Sequence, residues 1–199
     1  MQNIKWLCVY CGSSGAVAAP YRDAASELGA RLAAAGIGLV YGGGRVGLMG
    51  LLADAALAAQ GRVTGIIPAR LRDAEVAHRG VTDAFAILPG GIGTLDEMFE
   101  IVSWKQLRLH DKPILLVDIG GYWAPLLALL DHIVDAGFAG AQTRGLLQVV
   151  PSIAALMAVS PQELTKRFAR PELRSDRLAV CAAPPDIGKS TPWRRNDSC

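Results

Sequence analysis

The residues best suited to chemistry stand in one short run, Pro89-Gly90-Gly91-Ile92-Gly93-Thr94, followed at once by Leu95-Asp96-Glu97-Met98-Phe99-Glu100. Clustered glycines let an anion approach the backbone closely. A helix that starts there adds unpaired N–H groups and the positive end of its dipole, a combination that suits phosphate. Carboxylates within the next turns suit glycosidic cleavage, where they stabilise an oxocarbenium-like centre or move a proton. Plainer explanations compete. Glycine also serves tight turns, and acidic residues early in a helix complement its dipole. Helical spacing puts Glu97 and Glu100 on neighbouring faces and Asp96 on a different one, and it does not choose between the readings.

Two more glycine clusters follow apolar runs, Cys11-Gly12-Ser13-Ser14-Gly15 and Gly42-Gly43-Gly44-Arg45-Val46-Gly47. In an open parallel sheet such loops gather at the carboxyl ends of the strands, where ligands bind. Gly42, Gly44 and Gly47 match the dinucleotide fingerprint, but the next apolar run, VTGII, leads into Pro68 instead of the acidic residue that would hold a ribose. Neither loop continues into Gly-Lys-Ser or Gly-Lys-Thr, which argues against a nucleoside triphosphatase.

The elements that must position these loops are legible in the apolar periodicity. Residues 4–10, 37–41, 63–67, 84–88 and 113–117 are short apolar runs bounded by Gly, Pro or Asp, and are predicted strands. Residues 21–35, 46–60, 94–109 and 122–136 are predicted helices; in the first, Ala24, Ala25, Leu28 and Leu32 share a stripe and Gly36 supplies a stop. Alternation of the two predicts an α/β fold, a single-domain, doubly wound parallel sheet flanked by helices. One more apolar run, LLQVV, precedes Pro151 and Pro161, each followed by a possible helix. The domain is expected over residues 1–170, with 171–199 a disordered tail of mixed proline and charge.

A net charge of +2, with no alternating basic and aromatic stripes, speaks against nucleic acid as a partner. The first apolar stretch is too short for a membrane span and lacks the pattern of a signal peptide, so a cytoplasmic protein is expected. Cys8 and Cys11 form a C-x-x-C, read as reduced structural thiols because one lies in a strand and the other at its end. His78, His110 and His132 are isolated, so no metal is expected, and no cofactor either. None of Lys5, Lys105, Lys112 or Lys166 falls in a glycine loop, as a Schiff-base lysine for a pyridoxal enzyme would be expected to; Lys105 is read as a solvated helix residue.

The segments Tyr41 to Gly50 (YGGGRVGLMG) and Pro89 to Glu97 (PGGIGTLDE) resemble the two signature motifs of the Lonely Guy family, the cytokinin riboside 5′-monophosphate phosphoribohydrolases often labelled lysine decarboxylases. The likeness continues through CGSSG, GIIPARL, SWKQLRLHDKP and GYWAPLLALLDHIVDAGF, and covers most of residues 4–150. It implies a Rossmann-like fold, a homodimer, and hydrolysis of N6-modified AMP to free base and ribose 5-phosphate. On that resemblance Gly90, Gly91, Gly93 and Thr94 hold the phosphate and Glu97 is the catalytic glutamate. Glu75 is a substrate-binding glutamate, and Ser103 takes the place of a family hydroxyl residue. Gly43, Gly44 and Ser13, from the other two loops, complete the expected substrate-binding set.

One departure stands out. The family carries a helical segment with an Arg-Lys pair between its A-H-R-G stretch and the strand before PGG, and that arginine partners the motif glutamate. Here Ala77-His78-Arg79-Gly80 runs almost directly into Val81-Thr82-Asp83-Ala84-Phe85. Arg45 and Arg79 are the nearest substitutes, and neither occupies the motif position. The second reading is therefore a non-catalytic nucleotide or phosphate-cofactor binding module, comparable with the molybdenum-cofactor carriers.

Overall fold

The computed structural model describes residues 4–66 and 82–160. Six strands form one sheet in the order β3-β2-β1-β4-β5-β6, all paired parallel. They are β1 (Trp6–Tyr10), β2 (Gly38–Tyr41), β3 (Val63–Gly65), β4 (Ala84–Ile87), β5 (Ile114–Val117) and β6 (Gln148–Val150). The helices are α1 (Ala19–Ala34), α2 (Gly47–Ala58), α3 (Ile92–Gln106), α4 (Ala124–Asp135) and α5 (Ile153–Ala158). This is the doubly wound Rossmann-like architecture expected from the alternation of the runs, with the strand order reversing between β1 and β4.

Alternation of side chains along the strands divides the core into two layers. Leu7, Val9, Ala84, Ala86, Leu115 and Val117 face a layer completed by Leu28, Leu32, Leu52 and Leu156 from α1, α2 and α5. Cys8, Phe85, Ile87, Ile114 and Leu116 face the other layer, with Met98, Ile101, Leu126 and Leu130 from α3 and α4. All four residues of β4 and all four of β5 are buried, as a strand covered on both faces must be. The stripe Ala24, Ala25, Leu28 and Leu32 is buried as its spacing predicts, and Gly29 joins it. A Cβ on Gly29 would stand 2.2 Å from the Leu52 carbonyl oxygen, so glycine sets how closely α1 and α2 cross.

Boundaries moved where capping or pairing overrides periodicity. α3 begins at Ile92, two residues before the predicted start, because Gly91 in extended conformation serves as its N-cap. The run before Pro151 is an edge strand, β6, paired to β5 from Leu115↔Gln148 to Val117↔Val150. Pro151 is followed by α5, where the Ser152 hydroxyl accepts from Ala155 N. The possible helix after Pro161, the expected tail, Glu75 and Arg79 lie outside the described residues. No helix among the described residues is long and apolar enough to cross a membrane.

Candidate active site

The three glycine loops meet at the carboxyl edge of the sheet, beside the point where the strand order reverses. The loop after β1 is tied to the loop after β4 by Gly12 N donating to Pro89 O (3.1 Å), and to α2 by Leu48 N donating to Gly12 O (3.0 Å). Together with α3 they frame a cleft of about 840 Å³. Of the expected residues, Ser13, Gly91, Gly93, Thr94, Glu97 and Ser103 line it; Gly43, Gly44 and Gly90 do not, although Gly42 does.

Space around the glycines separates structural need from open room. Gly43 (φ +71°) and Gly47 (φ +61°) occupy left-handed conformations, and a Cβ on Gly47 would stand 2.3 Å from the Ser13 carbonyl carbon. The loop after β2 therefore needs these glycines to fold. A Cβ on Gly90 would collide with Thr94, whose side chain is buried against the loop. Gly91 and Gly93 differ: neither has a positive φ, and a Cβ on either would meet nothing within 4 Å. Neither packing nor conformation demands glycine there, and both face the cleft.

Asp96, Glu97 and Glu100 all line the cleft, including Asp96, which helical spacing had set on another face. They lie beyond the first turn of α3, where no acidic residue occurs, so complementing the helix dipole does not account for them. Glu97 Oε1 comes to 3.9 Å from where a Cβ on Gly42 would stand. Burial, then the like charges of Asp96 and Glu100, push the Glu97 carboxyl up to about 7. None of the described residues lining the cleft is Lys, Arg or His. The anion-attracting feature they supply is the amino end of α3.

The apolar part of the wall was not anticipated: Tyr10, Val40, Tyr41, Met49, Ile66 and Phe99 line it. Tyr10, Val40 and Tyr41 belong to predicted strands, and nothing local marks them as facing a ligand. Cys8 and Cys11 are free and buried, and they belong to opposite layers of the core. Cys8 lies in β1 and Cys11 directly after it, and their burial in separate layers fits structural thiols. Burial pushes both thiols up to about 12, with Glu97 adding to it.

Lys105 is not simply solvated. It is partly buried, and its Nζ donates to Lys112 O (2.9 Å), just before the start of β5 and away from the cleft. His110 is held there too, by the Ile101 carbonyl (2.9 Å) and by Lys112 N, which donates to Nδ1 (3.1 Å). Among the described residues no group of three or more His, Cys, Asp or Glu side chains is placed to hold a metal ion.

Two family models match the chain, "Possible lysine decarboxylase" over residues 80–159 and the SLOG cluster4 family over residues 9–103. Among solved structures it is similar to the molybdenum-cofactor carrier protein of Chlamydomonas reinhardtii, at a TM-score of 0.58 and 20% identity, covering 81% of this chain and 98% of that one. The molybdenum cofactor binding protein of Rippkaea orientalis gives 0.57 and 18%, covering 79% and 95%. At these identities the likeness shows the fold. Closer in sequence is a probable cytokinin riboside 5′-monophosphate phosphoribohydrolase of Oryza sativa subsp. japonica, 40% identical, covering 81% of this chain and 71% of that protein. The cytokinin riboside 5′-monophosphate phosphoribohydrolase LOG1 of Arabidopsis thaliana is 39% identical, covering 75% of this chain and 79% of that enzyme. Its alignment spans 169 positions, whereas 75% of 199 residues is about 149, so about 20 positions of the relative have no counterpart here. Identity at this level across most of both chains shows that the chain belongs to the Lonely Guy family of cytokinin riboside 5′-monophosphate phosphoribohydrolases.

Proposed function

We propose that the chain is an N-glycosidase that hydrolyses adenosine 5′-monophosphate, N6-modified or plain, to free base, a cytokinin or adenine, and ribose 5-phosphate. One observation carries the reading. A single cleft holds open room at two glycines the fold does not require and, on the helix those glycines begin, a carboxyl held near pH 7. Family membership supports it.

In the proposed reaction the phosphate lies on the loop of Gly90, Gly91, Gly93 and Thr94, where N–H groups at the amino end of α3 offset its charge. The ribose lies over Glu97. The C1′–N9 bond breaks with its electron pair going to the base, a water oxygen bonds to C1′, and one proton of that water ends on the departing base. The Glu97 carboxylate stabilises the cationic sugar and relays that proton, a task suited to a group that titrates near neutrality. Ser103, three turns along α3 from the phosphate loop, Ser13, and Glu75 outside the described residues complete the proposed substrate set, with Gly43 and Gly44 shaping the loop that brings Gly42 to the cleft. The apolar wall of Tyr41, Met49, Ile66 and Phe99 receives the base. The reading carries with it a cytoplasmic homodimer that takes a nucleoside monophosphate and neither nucleic acid nor a metal.

The charge balance favours a second reading for the same cleft. Three carboxylates and no cation among its described lining residues leave the developing sugar cation stabilised but the phosphate held by backbone alone. The number of unmatched positions, about 20, is large enough to include the Arg-Lys segment. Binding of the nucleotide without turnover follows if no other cation replaces it.

The test is release of adenine and ribose 5-phosphate from AMP, followed by chromatography, for this chain beside Glu97→Ala. Release by the first and not the second is expected. AMP binding without release would replace the hydrolase by the binding module, and no AMP binding would defeat both.

A further inference from the structure

We propose that Tyr122 is a positioning residue for the phosphate end of the substrate, an inference that rests on the reading above. Its hydroxyl fixes the Gly90–Gly91 peptide so that the Gly91 N–H faces the cleft.

The phenol of Tyr122 donates to Gly90 O at 2.7 Å, across 32 residues of sequence. None of the described peptide bonds is cis, and in a planar trans peptide the C=O and the following N–H point in opposite directions. Drawing the Gly90 carbonyl toward Tyr122 therefore turns the Gly91 N–H the other way, and Gly91 lines the cleft. A carbonyl that accepts a hydrogen bond also polarises its peptide, which makes that N–H a better donor to an anion.

The tie matters because of where it acts. The peptide lies between two glycines, which impose the least resistance to rotation, and beyond its chain neighbours no atom stands within 4 Å of where a Gly91 Cβ would be. Leu95 N donates to Gly91 O (3.1 Å), which fixes the carbonyl that opens α3 and leaves the orientation of the peptide before it to Tyr122. Were it to flip, a carbonyl oxygen would meet the phosphate in place of an N–H, and attraction would become repulsion.

Tyr122 is itself well held. Gly120 (φ +62°) and Gly121 (φ +77°) turn the chain directly after β5, and Asp118 Oδ1 accepts from Trp123 N at 2.7 Å, which closes that turn. The Tyr122 ring meets Tyr21 of α1 edge-on at 5.5 Å and Trp123 at 4.8 Å. The turn after β5 thus braces the loop after β4 against α1. Tyr122 is 37% exposed, so replacing it by Phe removes the donor while water still reaches the carbonyl and the ring contacts remain.

The experiment is calorimetric titration of AMP and of adenosine into the full chain, Tyr122→Phe and Tyr21→Leu, with thermal unfolding of each. Tyr122→Phe is expected to weaken AMP binding roughly threefold to tenfold, the usual worth of one hydrogen bond. Adenosine affinity should not change, and in turnover the KM for AMP should rise by the same factor with kcat unchanged. Tyr21→Leu, which keeps the hydroxyl, should retain AMP affinity. Unaltered AMP affinity in Tyr122→Phe overturns the inference. So does equal loss of AMP affinity and of Tm in both variants, which would make the role one of packing. If the unmodified chain binds AMP no better than adenosine, the inference falls together with the phosphate site; AMP binding without base release removes the hydrolase reading alone.

Discussion

Replacing Glu97 by glutamine should stabilise the fold at alkaline pH and leave it unchanged in acid. The Glu97 carboxyl titrates near 7 against an ordinary value of 4.5, because burial and its neighbours Asp96 and Glu100 disfavour the charge. A carboxyl whose proton is held more tightly in the folded chain contributes stability that is complete below about pH 4.5. That stability is lost as pH rises through about 7, since between those values the native state binds more protons than the unfolded one. The rise corresponds to at most about 3 kcal/mol. Because the side chain is only partly buried and solvent screens it, about 1–2 kcal/mol is the expected cost at pH 8. Glutamine keeps the shape and removes the charge. Urea unfolding of both proteins at pH 4.5 and pH 8 should show the variant more stable than the natural chain at pH 8 only, with Tm higher there by about 2–8 °C for a chain of this size. The comparison between pH values removes the contribution of every other titrating group that the substitution leaves alone. Parallel stability curves for the two proteins from pH 4.5 to 8 would refute the reasoning, and with it the argument that the cleft prepares this carboxyl for proton transfer.

Two other substitutions separate glycines that fold the chain from glycines that leave room. Gly47→Ala must relieve both a positive φ and a 2.3 Å approach to the Ser13 backbone, and should lower stability by about 2–4 kcal/mol in urea unfolding. Gly93→Ala, inside α3 with open space before it, should keep or raise stability by up to about 1 kcal/mol while weakening AMP binding in calorimetry. Buried thiols held near 12 should resist alkylation. Peptide mapping after iodoacetamide at pH 8 should find Cys8 and Cys11 unmodified in the folded chain and labelled after denaturation.

The residues themselves determined the strands β1, β2, β4 and β5, the buried stripe of α1 and the three glycine loops, because each is a local pattern: a run of apolar residues, a 3.6-residue period, a strand followed by glycine. The family was legible for the same reason, since its motifs YGGGRVGLMG and PGGIGTLDE are contiguous in sequence. Membership of the sheet by the run before Pro151 was not, because an edge strand is defined by the partner it pairs with, and its partners in β5 lie 33 residues earlier in a different local context. Only the tertiary structure brought Asp96, Glu97 and Glu100 to one cleft beside Tyr10 and Tyr41, and only it distinguished Gly43 and Gly47, demanded by the backbone, from Gly91 and Gly93, which stand before open space. The hydrogen bond from Tyr122 to Gly90 likewise exists because two loops leave neighbouring parallel strands at the same edge. Composition and spacing record what each segment prefers; which side chains share a cavity depends on long-range packing that no local window contains.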